Sequence, residues 1–256
     1  MNPRRRVAPP QRLDEALVAR GLCPSREQAQ RLIRAGAVLL NHQPADKPGR
    51  RVDSDASLVL AARSRYVSRG GEKLEHALRH FALPVANRVA LDLGASTGGF
   101  TDCLLQHGAA QVCAIDVGRG QLAWTLRQDP RVVVMEGVNV RHLTRAGFPP
   151  EAQPADLAVV DCSFISLRKI LPSAVELLEP CATIIALIKP QFEAGRTEAA
   201  RGRGVITDPA VHERVLAEIE HFTRSLPRCH WIGVTLSPLR GPAGNQEFLA
   251  RIDKAS

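Results

Sequence analysis

Several features are scarce or missing in this 256-residue chain, and each absence removes a class of protein. Its six cysteines are scattered without any Cys-x-x-Cys spacing, so neither a zinc site nor a disulfide framework is indicated. The longest nearly apolar run, residues 181–188, is far too short to cross a bilayer. No apolar stretch follows Arg4, Arg5 and Arg6, so these residues do not begin a secretory signal. We therefore expect a cytoplasmic protein in a reducing compartment, with no metal and no membrane partner.

The positive charge of the chain is concentrated in its first quarter. Residues 1–67 hold 13 Lys and Arg against 6 Asp and Glu, whereas residues 68–256 hold 21 against 20. Nearly all of the net charge of +8 therefore lies in a small amino-terminal module. A basic module ahead of a near-neutral body is typical of a polyanion-binding attachment on a catalytic domain.

Residues 89–100 are the stretch around which the larger part of the chain is organised. They read Val-Ala-Leu-Asp-Leu-Gly-Ala-Ser-Thr-Gly-Gly-Phe, and a helix-like segment follows to His107. A short apolar run, a glycine-rich turn and a helix are typical of the opening unit of a nucleotide-binding sheet. Glycines let the backbone approach a ligand closely, and the helix N-terminus behind them offers free N–H groups.

Three kinds of site share this outline. A dinucleotide fingerprint requires glycine where Ser96 stands, so NAD is disfavoured. The letters also match the nucleophile elbow of an α/β-hydrolase with Ser96 as nucleophile, but no His-Gly-Gly-Gly oxyanion segment occurs in the chain. The third is a site for S-adenosylmethionine, in which Asp116, 24 residues after Asp92, ends the next strand and binds the ribose hydroxyls. The loop alone favours the methyl donor only slightly.

The amino-terminal module is predicted to contain two short helices within residues 11–36, ending at Gly21 and Gly36, and strands at 37–41 and 57–60. Leu13, Ala16 and Leu17 should form the apolar face of the first helix, and Ala29, Leu32 and Ile33 that of the second. Ser25-Arg-Glu-Gln28 fits a capping box at the start of the second helix. On that helix, Arg26, Arg31 and Arg34 fall within an arc of about 140° opposite the apolar residues, which makes a basic face.

The module resembles the S4 RNA-binding domain. The segments that carry the resemblance are Arg12-Leu-Asp-Glu-Ala-Leu, Ser25-Arg-Glu-Gln-Ala, Leu32-Ile-Arg-Ala-Gly36 and Val38-Leu-Leu-Asn41. This resemblance implies that the arginine-bearing face docks onto structured RNA, largely through phosphates, with Arg12, Arg26, Arg31 and Arg34 as RNA-binding residues.

Beyond the connector at residues 63–71, the pattern alternates between strands and helices. Strands are predicted at 111–116, 132–135, 157–161, 183–188, 231–237 and 247–252, and helices from Glu72 onward and at 121–128, 166–178 and 209–224. Such alternation, ending in a strand pair, predicts an α/β fold with a doubly wound, Rossmann-like sheet. The ligands of such a sheet lie outside the carboxyl ends of its strands. The polar residues expected at that edge are Asp92, Asp116, Asn139, Asp161 and Lys189.

Residues 66–256 resemble the TlyA (haemolysin A) family, a branch of the FtsJ/RrmJ-type ribose methyltransferases. The matching segments are Val67-Ser-Arg-Gly-Gly-Glu-Lys73-Leu, Leu91-Asp-Leu-Gly-Ala-Ser-Thr-Gly-Gly-Phe-Thr-Asp-Cys, Ile115-Asp-Val-Gly, Gly120-Gln-Leu-Ala-Trp124, Asp161-Cys-Ser-Phe-Ile-Ser-Leu, Ile188-Lys-Pro-Gln-Phe-Glu and Gly241-Pro-Ala-Gly-Asn-Gln-Glu247-Phe. Two departures are Arg119, where the family often has an aromatic residue, and Gly137-Val138, where it often has Arg-Thr.

The resemblance implies a class I methyltransferase domain at 66–256 behind an α+β S4 domain at 11–65. Its expected activity is S-adenosylmethionine-dependent methylation of ribose 2′-hydroxyls in ribosomal RNA, on cytidine of the 16S or 23S molecule or both, with ribosomal subunits as partners. The residues expected to bind the cofactor are Asp92, Gly94, Ala95, Ser96, Thr97, Gly98, Gly99, Phe100, Asp116, Asn139 and Asp161.

The family's Lys-Asp-Lys-Glu tetrad maps onto Lys73, Asp161, Lys189 and Glu247. A ribose hydroxyl needs a base close by, and lysine serves as one only when it is neutral, a form that burial or a neighbouring cation favours. Our hypothesis is that Lys189 is the base and that Lys73 favours its neutral form and helps to seat the ribose. Asp161 would orient Lys189 and favour the sulfonium, and Glu247 would bind Lys73 or the ribose.

Two other classes of function stay open from the sequence. One is a non-enzymatic RNA-binding or ribosome-assembly factor that keeps the fold without turnover, against which the complete tetrad argues. The other is a membrane-active haemolysin, for which the chain offers no evident amphipathic lytic helix.

Overall fold

The computed structural model describes residues 10–34, 37–41, 43–45, 47–60, 65–195, 198 and 202–256. The chain divides into two compact units, Met1–Ser64 and Arg65–Ser256. Among the described residues, no helix is both long enough and apolar enough to cross a bilayer.

The first unit is a small α+β module. Its described elements are β1 (Gln11–Arg12), α1 (Leu13–Ala19), α2 (Arg26–Arg34), β2 (Val38–Leu40), β3 (Gln43–Pro44), β4 (Arg51–Val52) and β5 (Leu58–Leu60). Strand β1 pairs antiparallel with β4, and β2 lies between β3 and β5 in a second small sheet. Residues 11 and 12 are therefore a strand, where the sequence predicted helix, because they pair with β4.

Most of the predicted apolar faces form the core of this module. Leu13, Ala16 and Leu17 of α1 are fully buried against Ala29 and Ile33 of α2. Leu32, also predicted to face inward, is only partly buried at the margin of this core. The sequence pattern thus located both helices from the periodicity of their apolar residues.

The boundaries of the two helices follow local hydrogen bonds. Gly21 adopts φ +69° after α1, and Leu22 N donates to Leu17 O, as is common where a helix ends at glycine. Ser25 Oγ accepts from Gln28 N at the start of α2, so the serine half of the predicted capping box is present. Gly36, the predicted end of α2, lies outside the described residues.

The second unit is built on one seven-stranded sheet. Its described strands are β6 (Val89–Leu93), β7 (Gln111–Asp116), β8 (Val132–Glu136), β9 (Ala155–Val160), β10 (Leu178–Ile188), β11 (Cys229–Leu236) and β12 (Phe248–Lys254). Its described helices are α3 (Gly70–His80), α4 (Gly99–Gln106), α5 (Trp124–Arg127), α6 (Leu171–Leu177), α7 (Pro190–Glu193) and α8 (Pro209–Ser225).

The strand order is β11-β12-β10-β9-β6-β7-β8, in which β10, β9, β6, β7 and β8 are parallel and β12 runs antiparallel to both of its neighbours. The chain proceeds outward from β6 through β7 to β8 and then crosses to β9 on the other side of β6. This reversal places a topological switch point at the carboxyl ends of β6 and β9. The predicted Rossmann-like fold is confirmed.

Both faces of the sheet are covered. On one face, Leu91 and Leu93 of β6 pack in a cluster with Leu171 of α6 and Ile219 of α8. On the other, Ala90 belongs to a cluster with residues of α3 and α4. Burial on both faces explains why these strands read as continuous apolar runs in the sequence.

In the second unit, three predicted boundaries differ from the structure by three residues or more. Helix α5 spans only Trp124–Arg127, where residues 121–128 were predicted. The predicted helix at 166–178 begins with a 3-10 turn at Leu167–Lys169 before α6. Strand β10 begins at Leu178 rather than at 183, through an irregular stretch in which Cys181 has φ +58°.

Candidate active site

The loop after β6 lies at the switch point, pressed against the ends of the neighbouring strands. Gly94 adopts φ +93°, and a side-chain Cβ there would lie 2.8 Å from Asp161 O. Gly94 N and Ala95 N donate to Ile115 O at the end of β7, and Asp161 N donates to Leu93 O. Only glycine fits both this conformation and this contact at position 94, so the sequence motif has a direct steric cause.

One cavity of about 440 Å³, here called the Asp116 cavity, opens on one side of this loop. The Asp116 carboxylate accepts from Ser96 N at 2.8 Å and from Gly118 N at 2.7 Å. Asn139 also lines the cavity, and its Oδ1 accepts from Arg141 N. The apolar part of the wall includes Ile115, Val117, Val138, Val140, Phe164, Ile165 and Ile170. The cavity thus combines an apolar slot with a carboxylate at one wall.

Glu136, which the sequence analysis did not single out, shapes the segment beside Asp116. Its carboxylate accepts from the backbone N–H groups of Gly120, Gln121 and Leu122 and pairs with Arg127. The hydrogen bond from Gly120 N is the main reason that the pKa of Glu136 falls to about 2. These bonds hold residues 120–122 in an irregular loop, which explains why α5 begins later than predicted.

A second cavity of about 440 Å³, here called the lysine cavity, adjoins the first. Lys73 of α3 donates to Glu247 Oε2 at 2.5 Å, although the two residues are 174 positions apart in the chain. Lys189, just after β10, has its Nζ 2.5 Å from Asp161 Oδ1, just after β9. All four residues line this one cavity, and Asp161 also lines the Asp116 cavity.

The Lys73–Glu247 pair is held by buried structure around the turn before β12. The exposed fractions of the two side chains are 9% for Lys73 and 2% for Glu247. A Cβ at Gly241 would lie 2.5 Å from Glu247 Oε1, so the turn closes directly on the carboxylate. Asn245 fixes this turn, since its Oδ1 accepts from Ile206 N and its Nδ2 donates to Gly204 O.

Lys189 makes two further contacts. Its Nζ donates to Ser163 Oγ at 2.8 Å and lies 5.9 Å from the centroid of the Phe192 ring. Ser163 lines both cavities, although its place in the segment Asp161-Cys-Ser-Phe did not by itself indicate a role. Phe164, the next residue, has φ +62°, is 90% exposed and packs 5.1 Å from Phe192 between ring centroids.

The structure places Asp92 behind the loop and not on the wall of either cavity. It is fully buried, and its Oδ2 accepts from Thr101 Oγ1 of α4 at 2.6 Å, while Oδ1 has no hydrogen-bond partner among the described residues. Burial raises the pKa of Asp92 to about 7, against the hydrogen bond from Thr101. Asp92 therefore supports the loop from beneath.

The other residues predicted to bind the cofactor lie along the loop. Gly94 and Ser96 line both cavities, whereas Ala95, Thr97, Gly99 and Phe100 line the lysine cavity. Gly98, with φ +94°, faces the side chains of Leu122 and Leu126 instead.

The two departures from the family pattern touch each other. A Cβ at Gly137 would lie 2.7 Å from Arg119 Nε and from one of its terminal nitrogens. The guanidinium of Arg119 therefore covers the position from which a side chain at 137 would project. Neither departure could have been connected with the other from the sequence.

The predicted RNA-binding arginines of the first unit fall into two groups. Asp14 is fully buried, and its carboxylate accepts from Arg12 Nε at 3.0 Å, Arg26 Nε at 3.0 Å and Gln30 Nε2 at 2.8 Å. Burial tends to raise the pKa of Asp14, but the hydrogen bonds from Arg12, Gln30 and Arg26 outweigh it and hold that pKa well below its ordinary value.

Arg31 and Arg34 on α2 form the second group. Both are exposed, and neither forms an ion pair within the described part of the chain. The predicted basic face of α2 thus contains one arginine tied to Asp14 and two that are not.

A mostly parallel sheet with a glycine-rich loop at its switch point, an acid after the next strand and two adjoining cavities is the architecture of a nucleotide-binding α/β domain, and the family model that matches it is that of a methyltransferase. The description "FtsJ-like methyltransferase" belongs to the family model that matches residues 66–254, and the S4 domain model matches residues 11–58. The chain belongs to the TlyA family of FtsJ-like methyltransferases that carry an S4 domain.

Three similar proteins illustrate this membership. The 16S/23S rRNA (cytidine-2′-O)-methyltransferase TlyA of Mycobacterium tuberculosis is 48% identical over 241 residues, covering 93% of this chain and 87% of that protein. Hemolysin A of Brachyspira hyodysenteriae is 40% identical over 93% of this chain and 98% of its own. A solved structure from Streptococcus thermophilus is 43% identical, covers 97% of this chain and 90% of that one, and has a TM-score of 0.75.

Proposed function

We propose that this protein transfers a methyl group from S-adenosylmethionine to a ribose 2′-hydroxyl of ribosomal RNA, on cytidine of the 16S or 23S molecule or both. The observation that carries the proposal is the lysine cavity, in which two lysine–carboxylate pairs face one space beside the Asp116 cavity. The printed activity of the Mycobacterium tuberculosis relative supports the substrate. A ribosomal substrate would place the protein in the cytoplasm.

The Asp116 cavity suits the nucleoside part of S-adenosylmethionine. An apolar slot walled by Val117, Val138 and Ile170 suits an adenine ring, and the carboxylate of Asp116 can accept from ribose hydroxyls. Gly94 and Ser96 of the loop line both cavities, so the backbone of the loop can contact a ligand that occupies them. We therefore propose that Gly94–Thr97, Gly99, Asp116 and Asn139 hold the methyl donor.

Lys189 is the general base in this proposal. When bound, S-adenosylmethionine supplies an electrophilic methyl group on a sulfonium sulfur, which keeps the electron pair of the broken carbon–sulfur bond as the methyl bonds to the ribose oxygen. Lys189 Nζ takes the proton of the 2′-hydroxyl and becomes the ammonium. General base catalysis of this kind typically contributes 10²- to 10⁴-fold in rate.

Lys189 can accept a proton only as the neutral amine, and its Nζ lies 2.5 Å from Asp161 Oδ1. We propose that two positive charges favour the neutral amine of Lys189: the sulfonium of bound S-adenosylmethionine beside Asp161, and the ammonium of Lys73 in the same cavity. In this proposal Lys189 acts as a base only once the methyl donor is bound.

Lys73 and Glu247 are assigned to substrate positioning. Their pair is nearly closed to solvent, and Gly241 packs against the carboxylate of Glu247, to which Lys73 is bound. A fixed ammonium at the edge of the lysine cavity can donate to a ribose oxygen and hold it in line with the methyl group. Because the sulfonium already activates the methyl group, such alignment of the ribose oxygen is a main contribution that the protein can make to the reaction.

Features of both units suit an RNA substrate. We propose residues 11–65 as the RNA-binding domain, which would contact phosphates through Arg12, Arg26, Arg31 and Arg34, and residues 66–256 as the catalytic domain. In the catalytic unit, the exposed ring of Phe164 stands next to Ser163 at the cavity wall, where a nucleobase can stack on it.

The test is transfer of radiolabelled methyl from S-adenosylmethionine to purified 30S and 50S ribosomal subunits, followed by mapping of nuclease-resistant 2′-O-methyl nucleotides. We expect label in a 2′-O-methylcytidine of at least one subunit. Confirmed binding of S-adenosylmethionine without label on either subunit would contradict the proposal and favour the ribosome-assembly role. Label on a base instead of a ribose would contradict the assignment of the lysine cavity.

A further inference from the structure

Ser163 occupies a position from which it can control the orientation of Lys189. Its Oγ accepts from Lys189 Nζ at 2.8 Å, and the same Nζ lies 2.5 Å from Asp161 Oδ1. Ser163 also lines both the lysine cavity and the Asp116 cavity. The serine therefore stands where the base, the ribose and the methyl donor of the proposed reaction would meet.

The geometry of a neutral amine gives these two contacts a consequence. Neutral lysine has two N–H bonds and one lone pair on Nζ, arranged tetrahedrally with the bond to Cε. Ser163 Oγ accepts one N–H of Nζ, and the Asp161 carboxylate holds the same Nζ by an ion-pair contact from another side. With Nζ held from two sides, few directions remain for the lone pair. We propose that Ser163 is a positioning residue that, with Asp161, turns the lone pair of Lys189 toward the substrate hydroxyl; this inference rests on the proposed function.

The backbone around Ser163 is held independently of Lys189. Asp161 N donates to Leu93 O at 2.9 Å, and Cys162 Sγ contacts the same carbonyl at 3.4 Å. These contacts tie the turn to the end of β6, directly beside the Gly94 loop. The backbone of Ser163 is therefore fixed, and rotation about the Cα–Cβ bond alone brings its hydroxyl within hydrogen-bond distance of Lys189 Nζ.

A single acceptor would leave Lys189 free to rotate. With Asp161 alone, Nζ can turn about the Cε–Nζ bond while it keeps one ion-pair contact, so its lone pair samples directions away from the substrate. Misalignment of reacting groups by about 1 Å can cost about a hundredfold in rate. The hydroxyl of Ser163 restricts this rotation and is uncharged, whereas a second carboxylate in its place would add a negative charge beside Lys189.

The test compares Ser163→Ala with Ser163→Thr, which keeps a hydroxyl, and with Ser225→Ala as a control on α8. We expect Ser163→Ala to lower kcat by about ten- to a hundredfold, with unchanged Kd for S-adenosylmethionine and unchanged KM for the ribosomal subunit. Ser163→Thr should recover most of the lost kcat, and Ser225→Ala should match the wild type.

A second measurement needs neither cofactor nor RNA. Exchange of the Lys189 Nζ hydrogens with water, followed by ¹⁵N NMR of lysine-labelled protein, should be faster in Ser163→Ala and close to wild type in Ser163→Thr. A wild-type kcat in Ser163→Ala would overturn the inference, as would a loss confined to cofactor binding. If the wild type itself methylates no ribosomal RNA, the proposed function fails, while unchanged Nζ exchange in Ser163→Ala would separately refute the contact.

Discussion

The two lysine–carboxylate pairs of the lysine cavity differ in how far their carboxylates are open to solvent. Both lysine side chains are 9% exposed, but Glu247 is 2% exposed whereas Asp161, the partner of Lys189, is 24% exposed. Lys189 Nζ contacts both Asp161 and Ser163, whereas among the described residues Lys73 Nζ donates a hydrogen bond to Glu247 alone. The closed pair is suited to holding a fixed charge and the open pair to exchanging a proton.

The difference follows from the elements that carry the four residues. Glu247 lies in a turn fixed by Asn245 and closed by Gly241, and Lys73 lies within the buried face of α3. Asp161 and Lys189 each follow directly on a parallel strand at the switch point, where the sheet opens. The same two types of residue therefore acquire different roles from the local backbone.

The largest expected effect comes from removing the proposed base. Lys189→Ala should reduce kcat for ribosomal RNA methylation by about 10³-fold, because the 2′-hydroxyl would lose its proposed proton acceptor, with little change in S-adenosylmethionine binding. Turnover by radiolabel transfer and binding by calorimetry measure the two quantities. Lys169→Ala, which removes an exposed lysine outside both cavities, is the matched control and should retain wild-type kcat. Turnover preserved in Lys189→Ala would assign the proton to another group.

The second prediction tests whether the closed pair is structural as well as functional. Lys73→Met leaves the buried carboxylate of Glu247 without its cation and should lower the free energy of unfolding by about 3 kcal/mol. Adding Glu247→Gln should restore much of this loss, whereas Lys189→Met, beside the more open Asp161, should cost about 1 kcal/mol. Both tryptophans, Trp124 and Trp231, lie in the Arg65–Ser256 unit, so their fluorescence during urea unfolding reports its stability.

Equal costs for Lys73→Met and Lys189→Met would contradict the distinction between the pairs. A double variant no more stable than Lys73→Met would show that the two residues are not coupled.

Much of this arrangement could be predicted from the sequence, for identifiable reasons. Apolar runs and glycine positions located the strands and the Gly94 loop, because both depend on local sterics and burial. The edge residues Asp116 and Asp161 followed from the rule that ligands bind at the carboxyl ends of parallel strands. The pairing of Lys73 with Glu247, however, joins residues 174 positions apart, and only the family resemblance suggested it.

The residues that were missed act through contacts that no local pattern records. Glu136 ends β8 and organises residues 120–122 through their backbone N–H groups, so its role depends on a loop 14 to 16 residues earlier in the chain. Asp92 and Asp116 both occur near strand ends in the sequence, yet one is buried under α4 and the other lines a cavity. The direction of a side chain relative to the sheet decided this difference.

Asp92 is a buried carboxyl group that forms no ion pair with any of the described residues. Its pKa is raised to about 7, so between pH 4 and 7 the folded protein keeps a proton that the unfolded chain has released. This contribution to stability falls as pH rises through that window and is constant above it. The free energy of unfolding of Asp92→Asn lacks this dependence on pH. The difference between the variant and the wild type should therefore change by about 2 to 3 kcal/mol in favour of the variant as the pH is raised from 5 to 8.

Urea unfolding of both proteins at several pH values measures this difference, and the side-chain amide can still accept from Thr101. A difference that does not vary with pH would mean that Asp92 is ionised in the folded protein.

The smallest expected effect extends the comparison to the arginines of the first unit. Arg12 and Arg26 are tied to the buried Asp14, as Lys73 is tied to Glu247, whereas Arg31 and Arg34 are exposed without an ion pair among the described residues. Free guanidinium groups release more counterions on binding phosphate than groups already neutralised by a carboxylate. Replacing both Arg31 and Arg34 by Ala should weaken RNA binding about tenfold and lower the slope of log affinity against log salt by about 1 to 2.

The control for that variant must remove the same charge elsewhere. Arg145→Ala with Arg224→Ala deletes two arginines of the second unit that are paired with Glu179 and Glu220. We expect this control to leave the salt slope nearly unchanged, because overall charge contributes less than direct phosphate contacts. Equal slopes for the two double variants would mean that the exposed face of α2 does not dock on RNA, and that the first unit binds through other residues.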